Sequence, residues 1–210
     1  MFAGMASAAT VTVYGDNVSF TYDDATAYGT GIVVGDAILF SPTGIIAASE
    51  DGAGLVTTTK MLNVQVQVLT AGYWLQDFNL IELGDYQLNG AGATADMDGI
   101  FKISSNTSSY TALDNFDAGP LTVQNSLTEW TAGSMISLAD TPGWGADTDI
   151  DIDLTNTLTA STSASGEYAM VQKKLGAVSI EITAVPVPAA VWLFGSGLGL
   201  LGWMRRRRAA

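Results

Sequence analysis

Asn63-Val64-Gln65-Val66-Gln67-Val68 alternates polar and apolar side chains without a break. That period of two is the signature of a strand with one face in a core and the other in water. A second stretch repeats it: Asp149-Ile150-Asp151-Ile152-Asp153-Leu154 continues alternating as far as Thr159. Outward from these two, short apolar or β-branched runs recur between turn residues. Thr10–Tyr14 and Val18–Tyr22 flank Gly15-Asp16-Asn17, and 31–34 and 37–40 flank Gly35-Asp36. Phe78–Leu83 and Tyr86–Leu88 flank Gly84-Asp85, which reads as a third tight turn. Further strands are expected at 99–104, 121–123, 134–138, 168–172 and 177–183, the last two joined by Lys173–Gly176. Residues 41–60 read as a Gly-rich polar loop, 105–120 as a polar connection, and Ser161–Gly166 as a loop. No window of a dozen residues before the C-terminus carries a helical period. The expectation is an all-β chain, an antiparallel β-sandwich or jelly-roll-like domain spanning residues 10–184.

The composition narrows what such a domain does. The chain has 21 acidic residues, eight basic ones, no histidine and no cysteine, with a net charge of −13. All the acids precede Val185, where only Lys60, Lys102, Lys173 and Lys174 oppose them. A domain that acidic repels phosphates, so nucleic acid is not an expected partner. Lack of cysteine excludes disulfides, thiol catalysis and thiolate metal sites. Lack of histidine excludes a Ser-His-Asp triad and removes the commonest general base. The five glutamates are scattered, so no glycosidase pair can be nominated. The reading is of a non-enzymatic protein.

Five features remain to be weighed. Asp147, Asp149, Asp151 and Asp153 would project from one strand face, either as oxygen ligands for Ca²⁺ or as a solvated, charged edge that deters pairing. They do not form an EF-hand, because Ile152 and Leu158 stand where Gly and Glu are needed. Asp96-Met97-Asp98-Gly99 reads as a turn. Trp74, Trp130 and Trp144, with Tyr14, Tyr28, Tyr73 and Tyr110, supply either a sugar-stacking platform or core. Asn17-Val18-Ser19 and Asn106-Thr107-Ser108 match the glycosylation sequon, a motif frequent by chance. The Thr/Ser run over 157–165 is either a polar strand and loop or a carrier of O-linked sugar.

The two ends of the chain are different in kind. Residues 1–9 (Met-Phe-Ala-Gly-Met-Ala-Ser-Ala-Ala) resemble the end of a secretory leader, with Ala6-Ser7-Ala8 at the cleavage position and the start codon expected upstream. At the other end, Val185-Pro186-Val187-Pro188 forms a hinge in which both prolines lack an N–H and are expected to stop any strand. Residues 189–204 are uncharged and apolar, and Arg205, Arg206, Arg207 and Arg208 follow. As a helix, that run rises about 24 Å. That is somewhat short of a ~30 Å hydrocarbon core, with arginine snorkelling recovering part of the gap. Arg205–Arg208 act as the stop-transfer signal on the cytoplasmic side.

This arrangement over residues 185–210 resembles the PEP-CTERM sorting signal of Gram-negative bacteria: a Pro-x-Pro motif, a Gly-rich transmembrane helix and a terminal Arg cluster. Val187 stands where that motif carries Glu. The resemblance implies recognition by exosortase, a polytopic membrane cysteine protease-transpeptidase. It also implies cleavage near Pro186–Pro188 and delivery to the cell surface or extracellular matrix. The family is associated with exopolysaccharide, biofilm and floc formation. Phe78–Leu88 looks like a strand, Gly-Asp-Tyr, strand pattern of cargo domains in that family. The implied role is structural or adhesive in an exopolysaccharide matrix. The alternatives are a carbohydrate-binding module on the same route and a secreted hydrolase with paired carboxylates. Intact-mass and C-terminal peptide mapping of protein recovered from native culture should show a chain lacking Arg205–Arg208. Recovery of the four arginines in the mature product would leave a plain membrane anchor instead.

Overall fold

The computed structural model describes residues 10–142 and 144–186. Twelve strands fill them: β1 (Thr10–Tyr14), β2 (Val18–Asp23), β3 (Ile32–Val34), β4 (Ala37–Phe40), β5 (Ile46–Glu50), β6 (Gly54–Val68), β7 (Tyr73–Asn89), β8 (Thr94–Ser105), β9 (Thr111–Asp117), β10 (Leu127–Ser137), β11 (Asp149–Thr162) and β12 (Tyr168–Pro186). Two antiparallel sheets result. The first has the order β1-β2-β6-β11-β8-β9, and the second β10-β7-β12-β4-β3 with β5 also on β12. Residues 1–9, where a leader end is expected, and Val187, Pro188, the apolar run 189–204 and the arginines lie outside the described residues.

Alternation decides which side chains enter the core. Val64 and Val66 from β6 meet Ile150, Ile152 and Leu154 from β11, all fully buried. Phe78, Leu80 and Leu88 of β7 and Val171 of β12 face them from the second sheet. Two polar contacts join the sheets at their margins. Ser134 Oγ on β10 donates to Asp114 Oδ2 on β9 at 2.7 Å. On the opposite flank, the hydroxyls of Ser49 on β5 and Thr162 on β11 lie 2.8 Å apart. The β1–β2 and β3–β4 hairpins stand as expected, with Gly35 in the left-handed region at φ 61. Asp36 ties the two turns together by accepting from the backbone N and Nδ2 of Asn17, both at 2.7 Å.

Several strand boundaries differ from those the sequence implies. Residues 41–60 are not a loop, because they hold β5 and the first half of β6. The Thr57-Thr58-Thr59 run is β-branched strand, paired with Thr159, Leu158 and Thr157. The polar stretch 105–120 contains β9, residues 121–123 form no strand, and the expected strand at 134–138 is the end of the longer β10. Asp96–Gly99 is strand within β8 rather than a turn, and β11 continues to Thr162. The Lys173–Gly176 connection is a bulge inside β12. Lys173 pairs with Gly84 and Val178 with Glu82, so four residues on β12 oppose one on β7. β12 also runs through the first half of the expected hinge, with Val185 opposite Trp74 and Pro186 opposite Tyr73. A proline is tolerated there because beyond Glu181 β12 is paired along its length with β7 alone and is locally an edge strand, so its missing N–H breaks no second ladder.

Gly84-Asp85 is the most instructive departure. It sits in the middle of the 17-residue β7, not at a turn. A Cβ on Gly84 would lie 2.1 Å from the carbonyl oxygen of Gln172 and 2.3 Å from the Trp130 ring. The glycine is there because the Trp130 indole lies flat across the strand at its cross-strand neighbour. Gly84→Ala forces either the ring or the backbone to move. It should destabilise the fold by about 1–3 kcal/mol, the usual range for overpacking, read as a lower denaturation midpoint at unchanged m-value.

Candidate functional site

The aspartate row lies on β11, a central strand between β6 and β8, not on an edge. Asp149, Asp151 and Asp153 point outward from the first sheet, half-buried, while the intervening Ile150, Ile152 and Leu154 are fully buried. The register sets them against Gln67, Gln65 and Asn63 of β6. The amide groups of the first alternating stretch therefore meet the carboxylates of the second. Gln65 Nε2 donates to Asp149 Oδ1 at 2.9 Å, and Gln67 Nε2 to Oδ2 at 2.8 Å. Asn106 Nδ2 adds a third bond at 2.8 Å. Asp153 accepts from Asn63 Nδ2 at 2.8 Å and from Lys102 Nζ at 2.7 Å. Asp147 leaves the row: its backbone bridges to Leu75 of the second sheet, and its buried carboxylate accepts from Thr107 Oγ1 at 3.1 Å. Among the described residues no three acidic side chains converge closely enough to hold a metal ion.

These contacts set the carboxylates' acidity. Partial burial alone would raise Asp149, but donation from Asn106, Gln65 and Gln67 outweighs it and holds the carboxyl below its ordinary value. Asp153 is likewise held low, burial being outweighed by Lys102 and Asn63.

The aromatic residues divide into core and surface. Trp130 and Tyr28 are buried, Tyr14 is isolated on exposed β1, and the others gather at one end of the molecule. There the β10–β11 connection crosses both sheets. Leu75 N donates to Asp147 O at 2.8 Å, Val68 N to Thr148 O at 2.9 Å, and Leu138 N to Gln76 O at 2.7 Å. The rings of Tyr110 and Trp144 lie 6.0 Å apart, tilted by 33°. Trp144 and Trp74 face a cleft of about 390 Å³ with Leu75, Gln76, Leu138 and Ala146. Gln76 is the polar side chain among the residues lining it. One exposed tyrosine, two half-buried tryptophans and the Gln76 amide present both stacking faces and a hydrogen-bond partner.

A second, shallow groove lies on the outer face of β8 and β9. Asp98 and Asp117 are cross-strand partners there, with Asn115, Thr155 and Thr157 around them. Burial and the neighbouring carboxylates of Asp96 and Asp117 push Asp98 above its ordinary value. Asp117 Oδ1 is already bound to Gly119 N at 2.6 Å.

A third cluster is closed to solvent, and no feature of the sequence reading pointed to it. Glu82 of β7, Lys173 of β12 and Asn156 of β11 meet between the sheets, with Tyr28 beside them. Each occupies an inward-facing position of its strand. Glu82 follows Phe78 and Leu80, Asn156 falls between Leu154 and Leu158, and Lys173 follows Ala169 and Val171. A polar residue on the apolar phase was the signal available in the sequence.

No protein-family model matches the chain, and no curated protein matches it. Among solved structures it bears a distant likeness to three. One is the enzymatically active domain of bacteriophage CBA120 tailspike protein 4, at 11% identity over 82% of this chain, 20% of that one, and a TM-score of 0.25. Another is a cyclase from Fischerella sp. TAU, at 13% identity over 81% and 75% with a TM-score of 0.27. The third is a carbohydrate-binding module of the β-sandwich superfamily, at 6% identity over 83% and 97% with a TM-score of 0.25. None reaches a similarity from which a shared fold or ligand follows, and the chain spans only a fifth of the tailspike domain.

The amide-for-carboxylate pairing on β11 carries a prediction. Asp149 is depressed in the folded state, so its contribution is present above the unfolded carboxylate range and lost as pH falls through the folded value. Asp149→Asn should flatten the loss of thermal stability below about pH 4. Its melting midpoint, like the parent's, should be the same in excess calcium and in chelator. A calcium-dependent rise in the parent that Asp149→Asn abolishes would instead make the row a cation site.

Proposed function

We propose that this chain is a secreted, non-catalytic β-sandwich of the cell surface or extracellular matrix. Its route is a C-terminal sorting signal of PEP-CTERM type, read by an exosortase-like membrane transpeptidase, with the inner membrane a transient station. Its task is adhesion within an exopolysaccharide matrix, through the cleft between Trp74 and Trp144. The observation that carries the second part is the tilted Tyr110–Trp144 pair, of which Trp144 lines that cleft. Aromatic faces stack on the C–H surface of a sugar ring, while the Gln76 amide in the cleft wall is available to its hydroxyls. The route is supported by residues 185–210, where hinge, apolar run and arginine cluster follow in order. The acid-rich surface fits a partner without phosphate, which excludes nucleic acid from the reading.

The reading predicts retention of the domain by the producing organism's own exopolysaccharide in affinity electrophoresis. Trp144→Ala and Tyr110→Ala should each weaken binding roughly tenfold, the scale of one lost stacking contact of 1–1.5 kcal/mol. Asp98→Asn should bind unchanged. Polysaccharide cleavage abolished by Asp98→Asn would replace this reading with a hydrolase centred on the Asp98–Asp117 groove.

A further inference from the structure

The buried cluster between the sheets has the parts of a condensation reaction. Glu82 Oε1 accepts from Asn156 Nδ2 at 3.0 Å, and Glu82 Oε2 accepts from Lys173 Nζ. A primary amine and a primary amide are thus held against the two oxygens of one carboxyl group. Tyr28 touches both: its hydroxyl is 2.9 Å from Asn156 Nδ2, and its ring centre lies 5.9 Å from Lys173 Nζ. The Trp130 ring covers the amine at 6.0 Å. The side chains of Glu82 and Lys173 have no solvent contact, and Asn156 is fully buried. The amide is gripped at its nitrogen alone, because Oδ1 has no hydrogen-bond partner. An asparagine serving only as a structural hydrogen-bonder at this depth would carry that orphaned acceptor at a cost.

We propose that Lys173 and Asn156 become joined by an intramolecular amide bond across the two sheets, with Glu82 moving the protons. The Nζ lone pair of the neutral amine attacks Cγ of Asn156, and the carbonyl π electrons move to Oδ1. The protonated carboxyl of Glu82 gives its proton to Nδ2 and takes one from Nζ. The Cγ–Nδ2 bond breaks, the electron pair on Oδ1 restores the carbonyl, and one ammonia leaves. Amine plus amide give a secondary amide plus ammonia, Glu82 ends as it began, and no oxidant or cofactor enters. The buried setting moves both groups toward the protonation states this step needs. Burial pushes Glu82 above its ordinary value and Lys173 below, with each partner's charge only partly opposing that. Burial and the nearby Glu82 also hold the Tyr28 phenol protonated. Exclusion of water removes the competing nucleophile that would hydrolyse the amide to Asp. Glu82 touches both reacting groups and is on this account a catalytic residue.

The bond would tie β11 in one sheet to β12 in the other and close the loop between them, which contains Glu167. Cleavage of the denatured full-length chain after glutamate therefore separates the peptides carrying Asn156 and Lys173 unless they are joined. From the wild-type protein, mass spectrometry should find them as one branched species, lighter by one ammonia than the two peptides' summed residues. Asn156→Asp should give the same joined species by losing water. Glu82→Gln, verified as folded by circular dichroism, should release two separate peptides of unmodified mass. Two separate peptides from folded wild-type protein overturn the proposal. So does an ammonia loss confined to the Asn156 peptide, which is cyclisation of asparagine on its own backbone. Joined peptides in folded Glu82→Gln would remove Glu82 from the reaction. If that variant does not fold, the wild-type digest and Asn156→Asp decide the outcome.

Discussion

A carboxyl group and an amine, neither touching solvent, face each other between two sheets that are otherwise lined with Val, Ile, Leu and Phe. Desolvating such a pair is expensive, and removing one partner of a buried pair typically costs about 3–5 kcal/mol because the other is stranded. The surroundings are arranged to hold both. The bulge in β12 begins at Lys173, and such a local irregularity re-aims a side chain. Gly84, opposite Lys173, makes room for Trp130, whose ring lies over the amine. Asn156 reaches Glu82 from the opposing sheet, so the cluster also fixes how the two sheets sit on one another. Replacing the whole group with aliphatic side chains would cost little in principle. That points to a use other than filling space.

The outer surface handles charge by the opposite means. Lys174, next in sequence to Lys173, is exposed and pairs with Glu129, with Asp85 3.6 Å away. On β11 the carboxylates are met mainly by neutral amides, Lys102 being the one cation in the row. With four lysines before Val185 there are not enough cations to pair 21 acids. Neutral donors, here the side-chain amides of β6, are another way to hold carboxylates close together without a bound metal. They work irrespective of ionic strength, which suits a surface exposed to variable salt.

The sheets were legible in the sequence where one face is apolar and the other polar. The strands at 63–68 and 149–159 and the two N-terminal hairpins were readable because alternation and turn glycines agree. Strand length was not readable. β6 begins in a run of Gly, Leu, Val and Thr whose inward positions, Gly54, Val56 and Thr58, are only half-buried while Leu55 faces out, so no apolar–polar alternation marks it. Gly84 carries the residue type of a turn for a reason that lives on another strand, namely the ring of Trp130. The same limit hid the buried cluster. Glu82, Asn156 and Lys173 are 74 and 91 positions apart measured from Glu82, and only the fold makes them neighbours. The aromatic cleft was half legible: the residue types were present, but which rings are core and which surface depends on the β10–β11 crossing.

The pairing of Pro186 with Tyr73 fixes where the chain departs from the domain. Tyr73 directly precedes Trp74, one wall of the aromatic cleft. Anything attached beyond Pro186 therefore starts from the end of the sandwich at which β7 begins, the end that carries Trp74. A tether and a bulky ligand would compete for the same approach. Severing the chain just past Pro186 clears that approach while leaving β12 its full length of partners.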